Sequence, residues 1–234
     1  RRRALVLAGA ASRLRVGRGA AIGSACAAQR IPSGSQRGGS GAKTPLVAVR
    51  PDAFKMSPLP RLLAFDLDGT LWTPEMYELY GGAPFRRDDG GRVFDRAGTQ
   101  VKLMGATANV LLELATDPKW KGTQVAYVSR TEYPEWAIPC LHTFQIADGI
   151  SMFDVASHLE IYPGSKRTHF RAIQEASGLE YEDMVFYDNE RWNISDCSPL
   201  GIHCVYTPKG LTDKAWSEGL AMYAAAVKKS DQRC

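Results

Sequence analysis

The stretch from Leu62 to Trp72 places an uninterrupted apolar run directly before two aspartates and a glycine. Such a run, residues 62–65, is typical of a strand that is buried on both faces of a parallel sheet. Ligands of open parallel sheets bind beyond the carboxyl ends of the strands, so we expect Asp66 and Asp68 at the mouth of a binding crevice. Gly69 allows the chain to turn sharply after the acidic pair.

The acidic pair predicts a divalent cation. Two carboxylates this close repel each other and any anionic substrate, unless a cation lies between them. Carboxylate oxygens suit Mg²⁺, so Asp66 and Asp68 are predicted metal ligands. A calcium-binding loop is excluded, because Tyr77 occupies the twelfth position of the segment, where that loop requires Glu. A chance Asp-x-Asp in a surface turn is the remaining alternative.

Two later apolar runs are also followed at once by polar residues. Residues 124–128 precede the segment Ser129-Arg130-Thr131, whose hydroxyls and backbone N–H groups can bind phosphate oxygens. Residues 184–187 precede Asp188 and Asn189. The carboxyl ends of parallel strands lie at one edge of a sheet, so we expect these polar residues beside the acidic pair.

A lysine is predicted at the start of a helix. Lys166 follows the strand-like segment 160–162, and Ser165 before it is a suitable N-cap. The helix predicted over residues 166–177 ends at Gly178. The ammonium of Lys166 would lie beside the positive end of the helix dipole, and these two positive features together attract an anion. A solvated surface lysine is the alternative interpretation.

Strand-like runs alternate with helical patterns between residues 56 and 230. This alternation predicts an α/β domain with an open, mostly parallel, Rossmann-like sheet and helices on both faces. Within residues 73–104, glycine-containing turns at 89–91 and 97–98 lie beside short apolar or alternating pieces at 92–94 and 99–104, which predicts a small β-hairpin flap after the first strand. The intervals 72–124 and 131–166 have room for no more than a flap or a short excursion of the chain. We therefore expect an open site without a large cap domain.

The sequence predicts three further helices and one further strand, and it leaves one interval unassigned. Helices are expected over residues 106–114 and 216–227, and a strand over 202–206. A helix around residues 136–141 is expected to be kinked or interrupted by Pro139. Residues 143–160 show no pattern that assigns an element.

Charge is distributed unevenly along the chain. The first 51 residues carry ten basic residues and no acidic one, whereas the rest carries 19 basic and 25 acidic residues. The net charge of +4 therefore indicates no nucleic-acid-binding face on the folded domain. Residues 1–55 lack the apolar content of a core and resemble an organellar transit peptide, for a chloroplast or a mitochondrion. A disordered basic tail, or a coding region drawn too long, is the alternative, and Met56 could start a shorter cytoplasmic form.

Cysteine spacing and hydropathy exclude several classes of protein. None of the five cysteines forms a C-x-x-C pair, so neither a zinc ribbon nor a disulfide framework is indicated. No cysteine is followed six positions later by arginine, which excludes the phosphate-binding loop of thiol phosphatases. No apolar run reaches the ~18 residues of a membrane-spanning helix.

Four separated motifs resemble those of the haloacid dehalogenase-like phosphohydrolases and, more narrowly, of the eukaryotic magnesium-dependent phosphatases. They read Phe-Asp-Leu-Asp-Gly-Thr-Leu-Trp, Ser-Arg-Thr, Ile-Tyr-Pro-Gly-Ser-Lys-x-Thr-His-Phe and Phe-Tyr-Asp-Asn-Glu-x-x-Asn, and they begin at residues 65, 129, 161 and 186. The motifs occur in the order of that family, and the resemblance covers about residues 60–227.

The resemblance implies roles for individual residues. Asp66 is the implied nucleophile, which forms an aspartyl-phosphate, and Asp68 is the implied acid that protonates the leaving oxygen and later activates water. Asp68 must then hold a proton, and the nearby carboxylate of Asp66 is expected to raise its pKa. Lys166 is implied to stabilise the charge of the phosphoryl group. Substrate binding is implied for Leu67, Gly69, Thr70, Ser129, Arg130 and Thr131.

The metal site departs from many relatives, which carry two adjacent acids where Asp188 and Asn189 stand. The small phosphatases that act on the RNA polymerase tail resemble this chain in having Asp-Asn. The implied ligands are Asp66 and Asp68 together with Asp188 or Asn189. We expect Asn189 to bind Mg²⁺ directly and Asp188 to pair with Lys166, although the sequence leaves the choice between them open.

An open site admits both a phosphorylated protein side chain, such as phosphotyrosine, and a small sugar phosphate, and the sequence does not choose between them. We therefore expect a Mg²⁺-dependent phosphomonoesterase that acts as a monomer, with neither a nucleic-acid nor a membrane partner. The alternative is a phosphate-binding pseudo-phosphatase that serves as an interaction module, because Asn189 contributes no charge to the metal site.

Overall fold

The computed structural model describes residues 57–232. The strands in this range are β1 (Leu62–Phe65), β2 (Trp72–Thr73), β3 (Arg86–Arg87), β4 (Val93–Phe94), β5 (Gln100–Leu103), β6 (Gln124–Ser129), β7 (Gln145–Ala147), β8 (Ile150–Ser151), β9 (His158–Ile161), β10 (Met184–Asp188) and β11 (His203–Tyr206). The α-helices are α1 (Thr107–Thr116), α2 (Pro134–Thr143), α3 (Met152–Val155), α4 (Lys166–Ser177), α5 (Arg191–Cys197) and α6 (Asp213–Asp231).

Strand β1 lies at the centre of the main sheet. The strand order is β11-β10-β1-β6-β9, and every neighbouring pair in it is parallel. Phe65 at the end of β1 is aligned with Tyr187 of β10 and with Tyr127 of β6. The predicted open, mostly parallel sheet is confirmed, and its central strands end at the same edge.

Successive residues of β1 pack on opposite faces of the sheet. Leu63 and Phe65 belong to an apolar cluster with buried residues of α1, α2 and α6. Leu62 and Ala64 belong to a second cluster with buried residues of α4 and α5. Burial of a Leu or Phe side chain contributes ~1.5–3 kcal/mol, so both clusters hold helices against the sheet. The prediction of helices on both faces is confirmed.

Residues 72–103 form a small antiparallel sheet with the strand order β2-β5-β4-β3. Val93 of β4 pairs with Val101 of β5, and both side chains are buried. Asp95 stabilises the connection between these two strands, because its carboxylate accepts hydrogen bonds from the backbone N–H groups of Thr99 and Gly81. The predicted hairpin flap is therefore present, and β2 and β3 make it larger than expected.

Two parts of the chain differ from the prediction or add to it. Pro139 lies inside α2, so the expectation that it could interrupt the helix is wrong. The helix tolerates the missing N–H because Ala137, Cys140 and Leu141 are fully buried and hold it against the sheet. The interval 143–160, which had no assignable pattern, contains the β7–β8 hairpin, α3 and β9. These short elements extend over too few residues to show a periodicity.

The transit-like segment 1–55 and Met56 lie outside the residues that the structure describes. Within residues 57–232, no helix is both long and apolar enough to cross a membrane.

A chain that starts at Met56 is expected to fold and to keep full activity. The reason is that every strand of the main sheet and both apolar clusters lie within residues 57–232. Circular dichroism and phosphate release, compared with those of the full chain, measure the result. If the shorter chain were unfolded while the full chain was folded, residues 1–55 would have to contribute to the domain.

Candidate active site

The carboxyl ends of the central strands line an open cleft of about 300 Å³. Asp66 follows β1, Ser129 ends β6 and Asp188 ends β10. The predicted site residues that line the cleft are Asp66, Asp68, Ser129, Arg130, Thr131, Lys166 and Asn189. The parallel sheet thus brings together residues that are more than 100 positions apart in the chain.

Lys166 is buried between two carboxylates. Its Nζ lies 2.5 Å from Asp66 Oδ1 and 3.2 Å from Asp188 Oδ2, and it also donates a hydrogen bond to the Val128 carbonyl oxygen. These acceptors account for the three N–H donors of an ammonium group. Since only 1% of the side chain is exposed, Lys166 is not a solvated surface lysine.

Asp188 is held by several donors besides Lys166. Asn193 Nδ2 lies 3.1 Å from Asp188 Oδ1 and 2.9 Å from Oδ2, and the backbone N–H of Glu190 donates to Oδ1 at 2.7 Å. The expected pairing of Asp188 with Lys166 is present. Both oxygens of Asp188 are therefore engaged by protein groups.

Asn189 is held in place by Thr70. The Thr70 hydroxyl accepts a hydrogen bond from the backbone N–H of Asn189 at 3.0 Å and donates to Asn189 Oδ1 at 3.3 Å. Gly69 has a φ of 72°, and a Cβ there would overlap with Asn189 Nδ2, so this position requires glycine. Thr70 is fully buried and supports Asn189 from behind the cleft. The side chain of Leu67 is in the core, so only its backbone could reach a substrate.

The segment after β6 forms the opposite wall of the cleft. The backbone N–H of Thr131 donates to Ser129 Oγ at 3.2 Å, and Ser129 is 1% exposed. Arg130 donates from Nε to the carbonyl oxygen of Gly164 at 2.5 Å, and its guanidinium lies 3.9 Å from the ring centroid of Trp192. These contacts fix the direction of Arg130 at the mouth of the cleft.

The two aspartates of the first motif have raised pKa values. Burial raises the pKa of Asp66 to about 8, although the nearby ammonium of Lys166 opposes the shift. Burial is also the largest cause that raises the pKa of Asp68, and the hydrogen bond from Trp72 opposes it. The pKa of Asp68 was expected to rise because of the neighbouring carboxylate of Asp66. The pKa is raised, but the main cause is desolvation by burial, so the expected cause is wrong.

Further residues of the cleft were not predicted. They come from the segments after β2, β6 and β10 and are Glu75, Tyr77, Glu132, Tyr133, Glu190, Trp192 and Asn193. Tyr77 is 65% exposed and Trp192 is 45% exposed, so aromatic rings stand at the mouth. The carboxylates of Glu75 and Glu78 raise the pKa of Tyr77. No periodic pattern marks such loop residues, although Glu190 and Asn193 lie within the fourth motif.

The donor set of the cleft fits a hard cation. Asp66, Asp68 and Asn189 all offer oxygen atoms, which Mg²⁺ prefers. Among residues 57–232, no three His, Cys, Asp or Glu side chains cluster as a metal site. Asn189 offers an amide oxygen without charge, and Asp188 is engaged by Lys166 and Asn193.

A parallel α/β sheet that carries an Asp-x-Asp pair, a buried lysine and a hydroxyl-bearing loop at one edge is the arrangement of the haloacid dehalogenase-like phosphohydrolases. Residues 58–226 match the family model described as Acid Phosphatase. The chain belongs to this phosphatase family, and the resemblance inferred from the motifs is confirmed.

The curated proteins that are similar to this chain include one from Homo sapiens and one from Schizosaccharomyces pombe. Magnesium-dependent phosphatase 1 of Homo sapiens is 38% identical over 171 residues, which cover 73% of this chain and 91% of the human protein. A HAD-like hydrolase superfamily protein of Schizosaccharomyces pombe is 31% identical over 139 residues, which cover 57% of this chain and 78% of the yeast protein.

Solved structures of bacterial proteins are also similar. The phosphatase-containing N-terminal part of BF1531 from Bacteroides fragilis, in complex with Mg, has 17% identity and a TM-score of 0.48, and the match covers 70% of this chain and 40% of that chain. A HAD family enzyme of Bacteroides thetaiotaomicron, in complex with magnesium and inorganic phosphate, has 14% identity and a TM-score of 0.45, covering 65% of this chain and 96% of that one.

Proposed function

We propose that this chain is a Mg²⁺-dependent phosphomonoesterase that acts through an aspartyl-phosphate intermediate. One observation carries the proposal: Lys166 is buried against Asp66 in the wall of the cleft that Asp68 and Ser129 also line. A nucleophile, an acid and a cation at one sheet edge are the groups that phosphoryl transfer requires. Membership of the acid phosphatase family, and similarity to a human protein named for magnesium dependence, support the proposal.

In the first step Asp66 attacks the phosphorus atom of the ester. Lys166 binds Asp66 Oδ1, which leaves Oδ2 as the attacking oxygen. As the new bond between Oδ2 and phosphorus forms, the bond to the leaving oxygen breaks and its electron pair stays on that oxygen. Asp68 gives its proton to the leaving oxygen, so the alcohol departs neutral and the phosphoryl group remains on Asp66.

In the second step Asp68, now a carboxylate, takes a proton from water. The water oxygen attacks the phosphorus atom, and the bond to Asp66 Oδ2 breaks. Inorganic phosphate leaves, Asp66 is again a carboxylate, and Asp68 again holds its proton. Splitting the hydrolysis into two displacements lets one carboxylate act as nucleophile while the other moves the proton.

Positive charge and hydrogen-bond donors stabilise the phosphoryl group. Lys166 holds its ammonium at the nucleophile, and Ser129 offers a hydroxyl from the opposite wall. Mg²⁺, when bound by side-chain oxygens of Asp66 and Asn189 and by the backbone carbonyl of Asp68, would supply charge that offsets the repulsion between Asp66 and the phosphate. Asp188 keeps the direction of Lys166 fixed, since it pairs with that ammonium from the other side.

The open cleft supports two substrate classes, a phosphorylated side chain such as phosphotyrosine and a small sugar phosphate. The exposed rings of Tyr77 and Trp192 offer flat surfaces on which an aryl group or a sugar ring can stack. Rates on a phosphotyrosine peptide and on a hexose phosphate, measured under the same conditions, would distinguish the two classes.

Release of phosphate from an aryl phosphate is expected to stop in EDTA and to resume when Mg²⁺ is added in excess. The reason is that the carboxylate of Asp66 and the anionic phosphate would repel each other without a neutralising cation. A malachite-green assay with and without EDTA measures the effect. Phosphate release that continues in EDTA would contradict the metal dependence. If no phosphate were released under any metal condition, the pseudo-phosphatase alternative would be favoured. That alternative is motivated by the neutral amide of Asn189, which adds no charge to the metal site.

We also propose that residues 1–55 direct the protein to a chloroplast or mitochondrion, because ten basic residues and no acid occur in the first 51 positions. A fluorescent fusion to residues 1–55, imaged in plant and animal cells, tests this. A fusion that remains in the cytoplasm of both would contradict the targeting proposal and would leave the catalytic proposal unaffected.

A further inference from the structure

Asp68 is held by a tryptophan from the flap. Trp72 Nε1 donates a hydrogen bond to Asp68 Oδ1, and the distance between these atoms is 2.6 Å. The backbone N–H of Met76 donates to the same oxygen at 3.1 Å. An oxygen that accepts from two N–H donors is poorly suited to carry a proton, because that proton would face the donors. Among the described residues, Asp68 Oδ2 has no such partner.

The indole that binds Asp68 is rigidly placed. Trp72 is fully buried, and its ring stacks on Phe144 with 6.4 Å between centroids and 17° between planes. Its backbone belongs to β2, where it pairs with Leu103 of β5. A side chain with this packing has one available orientation, so its N–H direction is fixed by the core.

We propose that Trp72 is a positioning residue, whose N–H holds Asp68 Oδ1 so that Oδ2 carries the proton toward the leaving oxygen. This inference rests on the proposed function, in which Asp68 is the general acid. Trp72 does not contact the substrate in this scheme, since the indole lies in the core and acts through Asp68. The flap therefore contributes to the chemistry as well as covering the core.

The consequence is a dependence on the leaving group. An alkoxide departs slowly unless it is protonated, whereas nitrophenolate departs readily as an anion. If Asp68 loses its fixed direction, hydrolysis of an alkyl phosphate should slow strongly and hydrolysis of 4-nitrophenyl phosphate should slow little. A variant that only disturbs the fold would slow both substrates by the same factor.

The test is Trp72→Phe, which removes the N–H donor and keeps an aromatic ring. We expect kcat/KM for glycerol phosphate to fall by ~10 to 100-fold and that for 4-nitrophenyl phosphate by less than ~3-fold. kcat/KM is the suitable quantity, because it reports the transfer from substrate to Asp66 and not the later attack of water. Both substrates are measured on the same preparation.

Trp120→Phe is the matched control. Trp120 is buried in the same apolar cluster and donates its indole N–H to a carboxylate, Glu113 Oε1, at 2.9 Å, but Glu113, unlike Asp68, does not line the cleft. This control should change both substrates equally. If Trp72→Phe does not fold, benzothienylalanine at position 72 removes the N–H and keeps both rings of the indole.

The outcomes separate this inference from the proposed function. A loss confined to the alkyl phosphate supports the positioning role. An equal loss on both substrates, or no loss on either, overturns it while wild-type turnover leaves the phosphatase assignment standing. Absence of turnover by the wild-type protein on both esters would instead overturn the proposed function, and the role of Trp72 with it.

Discussion

Replacement of Asp66 by asparagine is expected to lower kcat on an aryl phosphate by on the order of 10³-fold or more, because an amide cannot form the acyl-phosphate. The fold should be kept, since asparagine is nearly isosteric with aspartate and its amide oxygen can still accept the hydrogen bond from Lys166. Steady-state phosphate release measures kcat, and thermal unfolding checks the fold.

Two controls make this result decisive. Asp183→Asn changes the same atoms in an exposed ion pair with Arg61, just before β10 begins and therefore at the opposite end of the strand from the cleft, and it should leave kcat unchanged. Mass spectrometry must show that the asparagine introduced at position 66 has not deamidated to aspartate. If a sample free of deamidation kept one tenth of the wild-type rate, Asp66 would not be the nucleophile.

The sheet and its catalytic edge follow from local patterns. Residues 62–65 and 184–187 are apolar without interruption, as strands buried on both faces must be, and each run is followed at once by aspartate. Because parallel strands share an edge, knowing where each run ends was sufficient to place Asp66 beside Asp188. The same reasoning placed Ser129, which ends β6.

Other parts of the site depend on contacts that no local pattern encodes. Asn193 lies in the first turn of α5, a helix of seven residues that was not predicted, and its amide binds Asp188. Trp72 was identified as part of a motif, but its hydrogen bond to Asp68 depends on how the flap folds over the core. Arg130 meets Trp192 only because β6 and β10 flank β1.

The local sequence around Lys166 predicted the helix cap but not the two carboxylates that bind its ammonium. The N-cap at Ser165 and the helix dipole predicted that this lysine attracts an anion, and Ser165 does cap α4. In the structure the ammonium lies between Asp66 and Asp188, with no more than 1% of its side chain exposed. One buried cation between two carboxylates leaves a net negative charge. A bound phosphate would add to it, which is a reason for the site to require Mg²⁺.

Asp188 and Asn189 are expected to contribute in different ways, although they are adjacent. Asp188 accepts from Lys166, Asn193 and the Glu190 backbone, so it has no oxygen left without a protein donor. Asp188→Asn should therefore act on the direction of Lys166. We expect kcat to fall by ~10 to 100-fold, as is usual when the partner of a catalytic group is removed, while the half-saturating Mg²⁺ concentration stays near the wild-type value.

Asn189→Asp is expected to have the opposite signature. Asn189 lines the same cleft as the acidic pair, and Thr70 holds its amide oxygen and its backbone N–H, so the side chain is fixed in place. An added negative charge at this oxygen should tighten Mg²⁺ binding, because a hard cation binds carboxylate more strongly than amide. Activity titrated with Mg²⁺ distinguishes the two variants. If Asp188→Asn raised the half-saturating Mg²⁺ concentration strongly and Asn189→Asp left it unchanged, Asp188 would be the direct ligand and the assignment would be reversed.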